Sequence, residues 1–275
     1  MNRIISILSG GLLMGGLMTG CLQEEIPVAP FDRGDAITSQ IMMQPNYRDQ
    51  IWFDLSENKV VSTNERTAWD LGFGCADSVD LIRLNSSLAA SAVIVTDRSF
   101  EEVTTKAGLN LRVDHPTGVI DSMALFGLKP GQVAVIDRGY SPEGRPLGVR
   151  KLELLSSEPG SYRVRYANLD GTDEQEISVV KDAAYNFLAY SFKTHAWVDI
   201  EPAKDAYDIC FTTYTHLFYD PDYQPYLVNG VWLNPHETQA YKWMQAEFAT
   251  MTLADMDTIS WSAEWDVIGF DWKSF

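Results

Sequence analysis

The chain has 275 residues, 45% of them hydrophobic, and its 38 acidic side chains outnumber 21 basic ones, so the formal net charge is −17. This apolar content is ample for a hydrophobic core, and the sequence therefore indicates a globular protein. The acidic balance argues against nucleic acid and anionic lipid as partners, since both bind basic surfaces.

The first twenty residues have the pattern of a signal peptide. Arg3 precedes an apolar run over residues 4–18 that is too short for a comfortable membrane span. The run ends in "LMTGC", which resembles the lipobox of bacterial lipoproteins, where cleavage before the cysteine is followed by lipidation of its sulfur. We therefore predict a signal peptide over residues 1–20, lipidation of Cys21 and a tether over residues 21–45. An ordinary secretory signal is the alternative.

The residues just after the cysteine bear on localisation. Gln23, Glu24 and Glu25 resemble the acidic signal that Bacteroidota use to send lipoproteins to the cell surface. We expect a protein that is lipid-anchored in the outer membrane and faces the cell surface. Cleavage removes Arg3, one of the 21 basic side chains, and leaves 20 against 38 acidic ones. Attachment must therefore come from the lipid rather than from charge.

Strand patterns begin near residue 50 and form two groups separated by a meander. The meander has four segments joined by Pro-Glu-Gly, Glu-Pro-Gly and Asp-Gly turns, which predict antiparallel hairpins. Its predicted strands are "QVAVIDRGY", "GVRKLELLS", "SYRVRYANL" and "EQEISVV".

The groups on either side of the meander resemble each other in order and spacing. "QIWFDLS" corresponds to "NFLAYSF", "AWDLGFGCAD" to "AYDICFTTYT", and "LIRLNS" to "GVWLNP". We predict half-repeats over residues 46–126 and 183–275 around a meander at 127–182. A likeness due to shared β-rich composition is the alternative. The second copy adds "HLFYDPDYQPYLVNG", predicted to be a long loop, and then a short helix over Thr238–Ala246.

Cysteine and aspartate residues in these strands are predicted to be structural. Alternation places Cys75 and Cys210 on opposite faces of equivalent strands, which favours buried free thiols over a disulfide. Asp70 and Asp208 start equivalent strands, where we expect their carboxylates to accept backbone N–H groups.

The order of these motifs resembles the HmuY family of haem-binding lipoproteins of Bacteroidota. The likeness is carried by "WDLGF", "LNSS" and "SFEEV" in the first copy and by "AYDICFTTYTHLFYD", "YLVNGVWLNP" and "DVIGFDWKSF" later. It implies an all-β domain over residues 46–275, with curved antiparallel sheets and few short helices. It also implies binding of haem or a related porphyrin for uptake, without catalysis, and an outer-membrane haem transporter as partner. The alternative is a surface lipoprotein of the same fold that binds a protein or glycan and no haem.

The residues themselves indicate where haem would bind. Haem iron takes imidazole, thioether, thiolate or phenolate donors. His216 lies between Tyr214 and Tyr219 at the start of the predicted extra loop, so these three are the preferred haem-binding candidates. His195, near Trp197, is a further candidate. No pair of segments here matches the haem-ligating histidine segments of the family's founding members, so no ligand is transferred from them.

Other polar residues are expected to have no chemical role. His115 lies in a turn and His236 at a predicted helix start, and both are expected to be exposed and structural. Arg145, Arg150 and Lys151 form the densest basic group, which we expect to be a solvated face. The sequence has no nucleophile elbow, H-E-x-x-H motif or Walker A loop, so we expect no enzyme activity.

Overall fold

The computed structural model describes residues 37–76, 80–219, 222–242, 252–257 and 259–271. The chain divides into two units, Met1–Thr38 and Ser39–Phe275, and nearly all the described residues belong to the second. The predicted signal peptide, Cys21 and the tether up to residue 36 lie outside the described residues. No helix within the described ranges is long and apolar enough to cross a membrane.

The described residues form thirteen β-strands and one short α-helix. In chain order they are β1 (Asp49–Asp54), β2 (Lys59–Glu65), β3 (Leu71–Gly74), β4 (Ile82–Leu84), β5 (Ser91–Val95), β6 (Val133–Asp137), β7 (Val149–Glu158), β8 (Ser161–Asn168), β9 (Gln175–Val180), β10 (Phe187–Ser191), β11 (Ala196–Val198), β12 (Ile209–Phe218), β13 (Gln224–Leu233) and α1 (Leu253–Met256). The strands build an outer sheet of order β13-β12-β1-β2, a middle sheet of order β11-β10-β3-β4 and a meander sheet of order β5-β6-β7-β8-β9. All pairing is antiparallel, so the all-β prediction is confirmed.

The meander sheet contains the four predicted strands, β6 to β9, and one more. Gly144, Gly160 and Gly171 have positive φ at the three predicted turns, a conformation that glycine adopts without steric cost. The additional strand β5 pairs along the whole of β6. The sequence does not predict β5, because its short apolar run has no polar alternation and no hairpin turn connects it to β6.

The outer and middle sheets are each built from both predicted half-repeats. When Phe53 is aligned with Tyr190 and Leu71 with Ile209, the pairing of β1 with β12 has the same register as the pairing of β10 with β3. The partners are Ile51↔Phe211, Trp52↔Cys210 and Phe53↔Ile209 in one sheet, and Leu188↔Phe73, Ala189↔Gly72 and Tyr190↔Leu71 in the other. Each sheet therefore joins the first hairpin of one segment to the second hairpin of the other. The half-repeat boundaries themselves stay a prediction.

The middle sheet lies between the other two sheets. On one face, Phe73 and Tyr190 pack with Tyr166 of the meander sheet in the largest core cluster. On the opposite face, Ala189 packs with Trp52 of the outer sheet. Since neighbouring residues of a strand point to opposite faces, Ala189 and Tyr190 belong to different cores.

Both cysteines among the described residues are buried free thiols, as predicted. Burial raises the pKa of the Cys75 thiol and of the Cys210 thiol. The thiolate is the reactive form of cysteine, so neither thiol is activated.

The two equivalent aspartates accept backbone hydrogen bonds, as predicted. Asp70 Oδ2 accepts from Phe192 N at 2.7 Å, and Asp208 Oδ2 accepts from Leu55 N at 2.7 Å. Each donor follows the strand that pairs with the aspartate's own strand, so the bond joins two hairpins rather than closing a local turn.

The predictions for the extra segment of the second copy are wrong. The segment forms a hairpin instead of a loop, because β12 continues to Phe218 and β13 begins at Gln224. Its β-branched and aromatic residues suit paired strands. The described part of the predicted helix, Thr238–Lys242, is not helical. The N–H of Ala240 donates instead to Ser262 O at 2.9 Å, so tertiary pairing replaces the helix. Residues 243–246 lie outside the described residues.

The basic group is a solvated face only at Arg145, which is exposed, and the prediction is wrong for Arg150 and Lys151. Lys151 is 2% exposed, and its Nζ donates to Phe100 O at 2.7 Å. Arg150 pairs with Asp173 at 2.7 Å and is buried as well. Both lie on β7, an interior strand of the meander sheet, where side chains are covered by neighbouring segments.

Candidate functional site

The hairpin of β12 and β13 extends beyond its partner strand in the outer sheet. The paired positions run to Phe218↔Gln224, whereas β1 pairs with β12 only as far as Phe211. Along the extension, alternation places Tyr214, His216 and Phe218 on one face. The longer hairpin therefore gives His216 two aromatic neighbours from its own strand.

A C-terminal segment crosses this hairpin and closes one side of the site. Gly269 exchanges two backbone hydrogen bonds with Val231, at 2.9 and 3.2 Å. Gly230 makes the crossing possible, since a Cβ there would lie 2.3 Å from Gly269 O. Just beyond it, the ring centroid of Phe270 lies 4.9 Å from that of His216. The crossing thus supplies a third ring beside the histidine.

His216 lies among these rings with one carboxylate nearby. Its ring centroid is 6.5 Å from Tyr214 and 4.9 Å from Phe218, and its side chain is 25% exposed. Nδ1 lies 3.8 Å from Asp266 Oδ2, which is too far for a hydrogen bond. Burial lowers the pKa of His216, and the carboxylate of Asp266 opposes this shift only in part. The neutral imidazole is therefore favoured, and this is the form that binds metals.

Three buried polar atoms around this hairpin have no hydrogen-bond partner among the described residues. They are His216 Nδ1, Tyr214 Oη and Trp232 Nε1. The rings of Tyr214 and Trp232 lie 5.4 Å apart. Most buried polar atoms in proteins do have partners, so these three atoms are available to a ligand or to ordered water.

The tip of the hairpin carries exposed aromatic rings. Phe218, Tyr219, Tyr223 and Tyr226 are 40%, 62%, 50% and 64% exposed. They lie in pairs, with centroids 6.2 Å apart for Phe218 and Tyr226 and 5.9 Å apart for Tyr219 and Tyr223. Grouped exposed rings are typical of binding surfaces, and this aromatic tip adjoins His216.

His115 joins the aromatic tip, so its description as a purely exposed structural residue is wrong. Its Nε2 lies 3.2 Å from Tyr219 Oη, and its Nδ1 lies 2.7 Å from Thr117 Oγ1. The ring is half-buried and close enough to lower the pKa of His216. His115 and Tyr219 are 104 positions apart, so no local sequence pattern signals their contact.

His195 lies elsewhere, in the turn between β10 and β11. Its Nδ1 is 2.8 Å from Tyr166 Oη, and its Nε2 is 3.4 Å from Asp173 Oδ1. The rings of His195 and Tyr166 are stacked with centroids 6.1 Å apart. Both nitrogens thus face the meander sheet, and no contact among the described residues links His195 to His216. The structure therefore brings together three of the four predicted residues, on one hairpin.

The donors at this site suit a ligand whose metal ion already has most of its coordination positions filled. No group of three or more His, Cys, Asp or Glu residues in the described part of the chain could hold a bare metal ion. The hairpin offers the imidazole of His216 and the phenol of Tyr219 as separate donors instead, and the adjoining His115 offers a second imidazole.

A family model described as "HmuY protein" matches residues 46–267. The match covers every strand of the three sheets and includes the whole β12–β13 hairpin. No curated protein and no solved structure gives a significant match.

Proposed function

This chain belongs to the HmuY family, and on that premise we propose that it binds haem or a related porphyrin at the β12–β13 hairpin without catalysing a reaction. The HmuY family is associated with haem binding. The observation that carries this assignment of the site is the imidazole of His216, which is three-quarters buried, favoured as neutral and next to the aromatic tip.

The residues of the hairpin fit the chemistry of haem. A porphyrin supplies the equatorial ligands of its iron, so the protein needs only axial donors and an apolar slot. His216 would hold the iron, together with Tyr219 or its partner His115. Phe218 and Tyr226 would pack against the macrocycle. Bound haem would provide an iron that accepts the electron pair of these donors.

Tyr214 would line the site rather than bind iron. Its side chain is fully buried, and burial raises the pKa of its phenol. The phenolate is the form that coordinates haem iron, so burial disfavours Tyr214 as a ligand. The phenol of Tyr219 is 62% exposed and can reach a ligand.

Titration of the purified protein with haemin tests this proposal. We expect a sharp Soret band in the wild type that is lost or shifted in His216→Ala, because the axial imidazole is removed. His195→Ala is the matched control and should keep the wild-type spectrum, since His195 contacts the meander sheet. Circular dichroism checks that each variant is folded. No spectral change in the wild type in either oxidation state would overturn the haem proposal.

We also propose that the protein is anchored through Cys21 in the outer membrane, faces the cell surface and passes haem to an outer-membrane transporter. The lipobox-like "LMTGC" and the acidic residues after it support this localisation. A chain of net charge −17 would not be held at an anionic membrane by charge, so the lipid should be essential. Cys21→Ser should therefore move the protein from the membrane fraction to the soluble fraction, and an unchanged membrane fraction would contradict the anchor.

The aromatic tip also supports a second function, in which the same surface binds a glycan or protein partner and no haem. Exposed tyrosine rings stack on sugar faces and on partner side chains. Under this alternative, Tyr223→Ala and Tyr226→Ala would weaken partner binding, and haemin would leave the wild-type spectrum unchanged.

A further inference from the structure

A cavity of about 550 Å³ lies beside β3 and the start of β10. Small-molecule sites typically measure ~300–1,000 Å³, so its size suits a small ligand. Its lining includes Cys75, Tyr185, Phe187, Lys204, His236 and Trp265. The residues assigned above to haem do not line it, so it is a second candidate site.

One wall of the cavity is a pair of fixed aromatic rings. Phe187 and Trp265 meet edge to face, with centroids 5.9 Å apart. The backbone of Trp265 is held on both sides, because its N donates to Thr117 O at 2.9 Å and its O accepts from Leu233 N at 2.7 Å. Its ring lies over Gly118, where a Cβ would come within 2.2 Å of the indole. This wall is therefore formed before any ligand binds.

The charge of the lining is opposite to that of the whole chain. The chain has 38 acidic and 21 basic residues, yet none of the described residues that line the cavity is Asp or Glu. His236 Nε2 lies 3.0 Å from Asp205, which lies outside the lining. Asn186 already donates to Glu201 and Asn234, at 2.8 and 2.9 Å.

Lys204 carries the one ammonium group among the described residues of this lining. Its side chain is half-buried, and its backbone N and O are both hydrogen-bonded. Its ammonium makes no hydrogen bond or ion pair with any described residue. An anion that enters the cavity can pair with this ammonium through a charge-assisted hydrogen bond.

We propose that this cavity binds a small planar aromatic carboxylate, with its ring against Phe187 and Trp265 and its carboxylate on Lys204. The aromatic wall selects a flat apolar body, and the single free ammonium selects one negative group. The site does not depend on the haem proposal.

Calorimetric titration of the full chain with 2-naphthoate tests this inference, with 2-naphthamide as the neutral ligand of the same shape. We expect the amide to bind about tenfold more weakly, since a hydrogen bond between charged groups is worth roughly that factor. Lys204→Met should lower the affinity for naphthoate by the same factor and leave the affinity for naphthamide unchanged. Lys193→Met is the matched control, because Lys193 is exposed and lies in the β10–β11 turn.

A cavity-filling variant and the histidine variant complete the test. Ala183 is exposed and lines the cavity, so Ala183→Trp should abolish naphthoate binding without unfolding the protein. His216→Ala should bind naphthoate normally whatever its haemin spectrum shows, which separates this site from the proposed haem site. Absence of naphthoate binding, equal affinities for naphthoate and naphthamide, or binding that survives Ala183→Trp would overturn the proposal. Displacement of naphthoate by haemin in His216→Ala would overturn it too, by assigning the cavity to a porphyrin.

Discussion

The turn that leads into β3 at Asp70 and the turn that leads into β12 at Asp208 can be compared bond by bond. The N–H of Asp70 donates to Tyr190 O at 2.8 Å, and the N–H of Asp208 donates to Phe53 O at 2.9 Å. Each aspartate then binds a backbone N–H of the partner hairpin through its carboxylate. The same contacts therefore start both strands.

The asparagines that follow the next strands complete the comparison. Asn85 and Asn234 are each 1% exposed. Each side-chain amide donates to two carbonyls of the preceding turn and accepts an N–H two positions later. The partners are Arg66 O, Trp69 O and Ser87 N for Asn85, and Lys204 O, Tyr207 O and His236 N for Asn234.

The two regions differ in what surrounds these shared bonds. Arg138 pairs with Asp70 at 2.8 Å, and their side chains are 13% and 5% exposed. No such ion pair involves Asp208 among the described residues. The N–H of Leu84 on β4 donates to the Asp114 carboxylate, whereas the equivalent N–H of Leu233 on β13 donates to the backbone O of Trp265, both at 2.7 Å.

This difference separates a structural hairpin from a hairpin that can carry a site. Charged side chains hold β3 and β4 in place. The C-terminal backbone holds β13 and places Phe270 beside His216. The hydrogen bonds that both regions share thus fix the backbone of each hairpin. The segments packed against each hairpin determine whether it can form a binding site.

The largest expected difference between the two turns comes from removing the charge of Asp70. We expect Asp70→Asn to lower the free energy of unfolding by about 3 kcal/mol, because it leaves the half-buried Arg138 guanidinium without its charged partner. Asp208→Asn should cost about 1 kcal/mol or less, since an asparagine oxygen can still accept from Leu55 N. Urea denaturation of both variants measures this difference, and equal losses would show that the ion pair does not distinguish the two turns.

Removing either buried asparagine side chain is expected to lower the stability of the protein by the same amount. Asn85→Ala and Asn234→Ala should each lower the free energy of unfolding by about 3 kcal/mol, because each leaves two buried carbonyls without donors. Agreement between the two values, measured in the same denaturant, would strengthen the equivalence of the two regions. A large loss of stability in only one variant would show that the equivalent hydrogen bonds contribute unequally to the stability of the protein.

The last expected effect depends on pH and involves Asp114. Burial raises the pKa of Asp114 to about 6. Two backbone N–H donors and the nearby arginines favour the charged carboxylate and oppose this rise only in part. The folded protein thus retains this proton at a pH where the unfolded chain has lost it. Its contribution to stability is present at low pH and is lost as the pH rises from about 4 through about 6.

We expect this loss to amount to about 3 kcal/mol in the free energy of unfolding, and Asp114→Asn should remove it. To test the prediction, the free energy of unfolding is measured for the wild type and for Asp114→Asn at several pH values across this range. The difference between the two proteins at each pH gives the contribution of Asp114. Circular dichroism at each pH is the control and should show that the wild type and the variant are both folded before denaturation. A slope unchanged by Asp114→Asn would assign the pH dependence to other carboxyl groups.

Sequence patterns predicted what depends on short-range chemistry. Alternation and turn residues predicted β6 to β9, and the repeated motifs predicted hairpins with aspartates at equivalent strand starts. They did not predict β5 or the extension of β12, because the residues there pair through contacts that local alternation does not encode. The contacts of Lys151 with Phe100 and of Arg150 with Asp173 were missed for the same reason.

For the candidate site, the sequence by itself determined that His216, Tyr214 and Tyr219 lie on one short stretch of chain. Only the tertiary structure decided that His115, Asp266 and Phe270 stand beside them and that His195 does not. The physical reason is that a strand sets the spacing of its own side chains through its backbone geometry. The residues that pack against it come from distant segments, and their positions depend on how the whole chain buries its apolar surface.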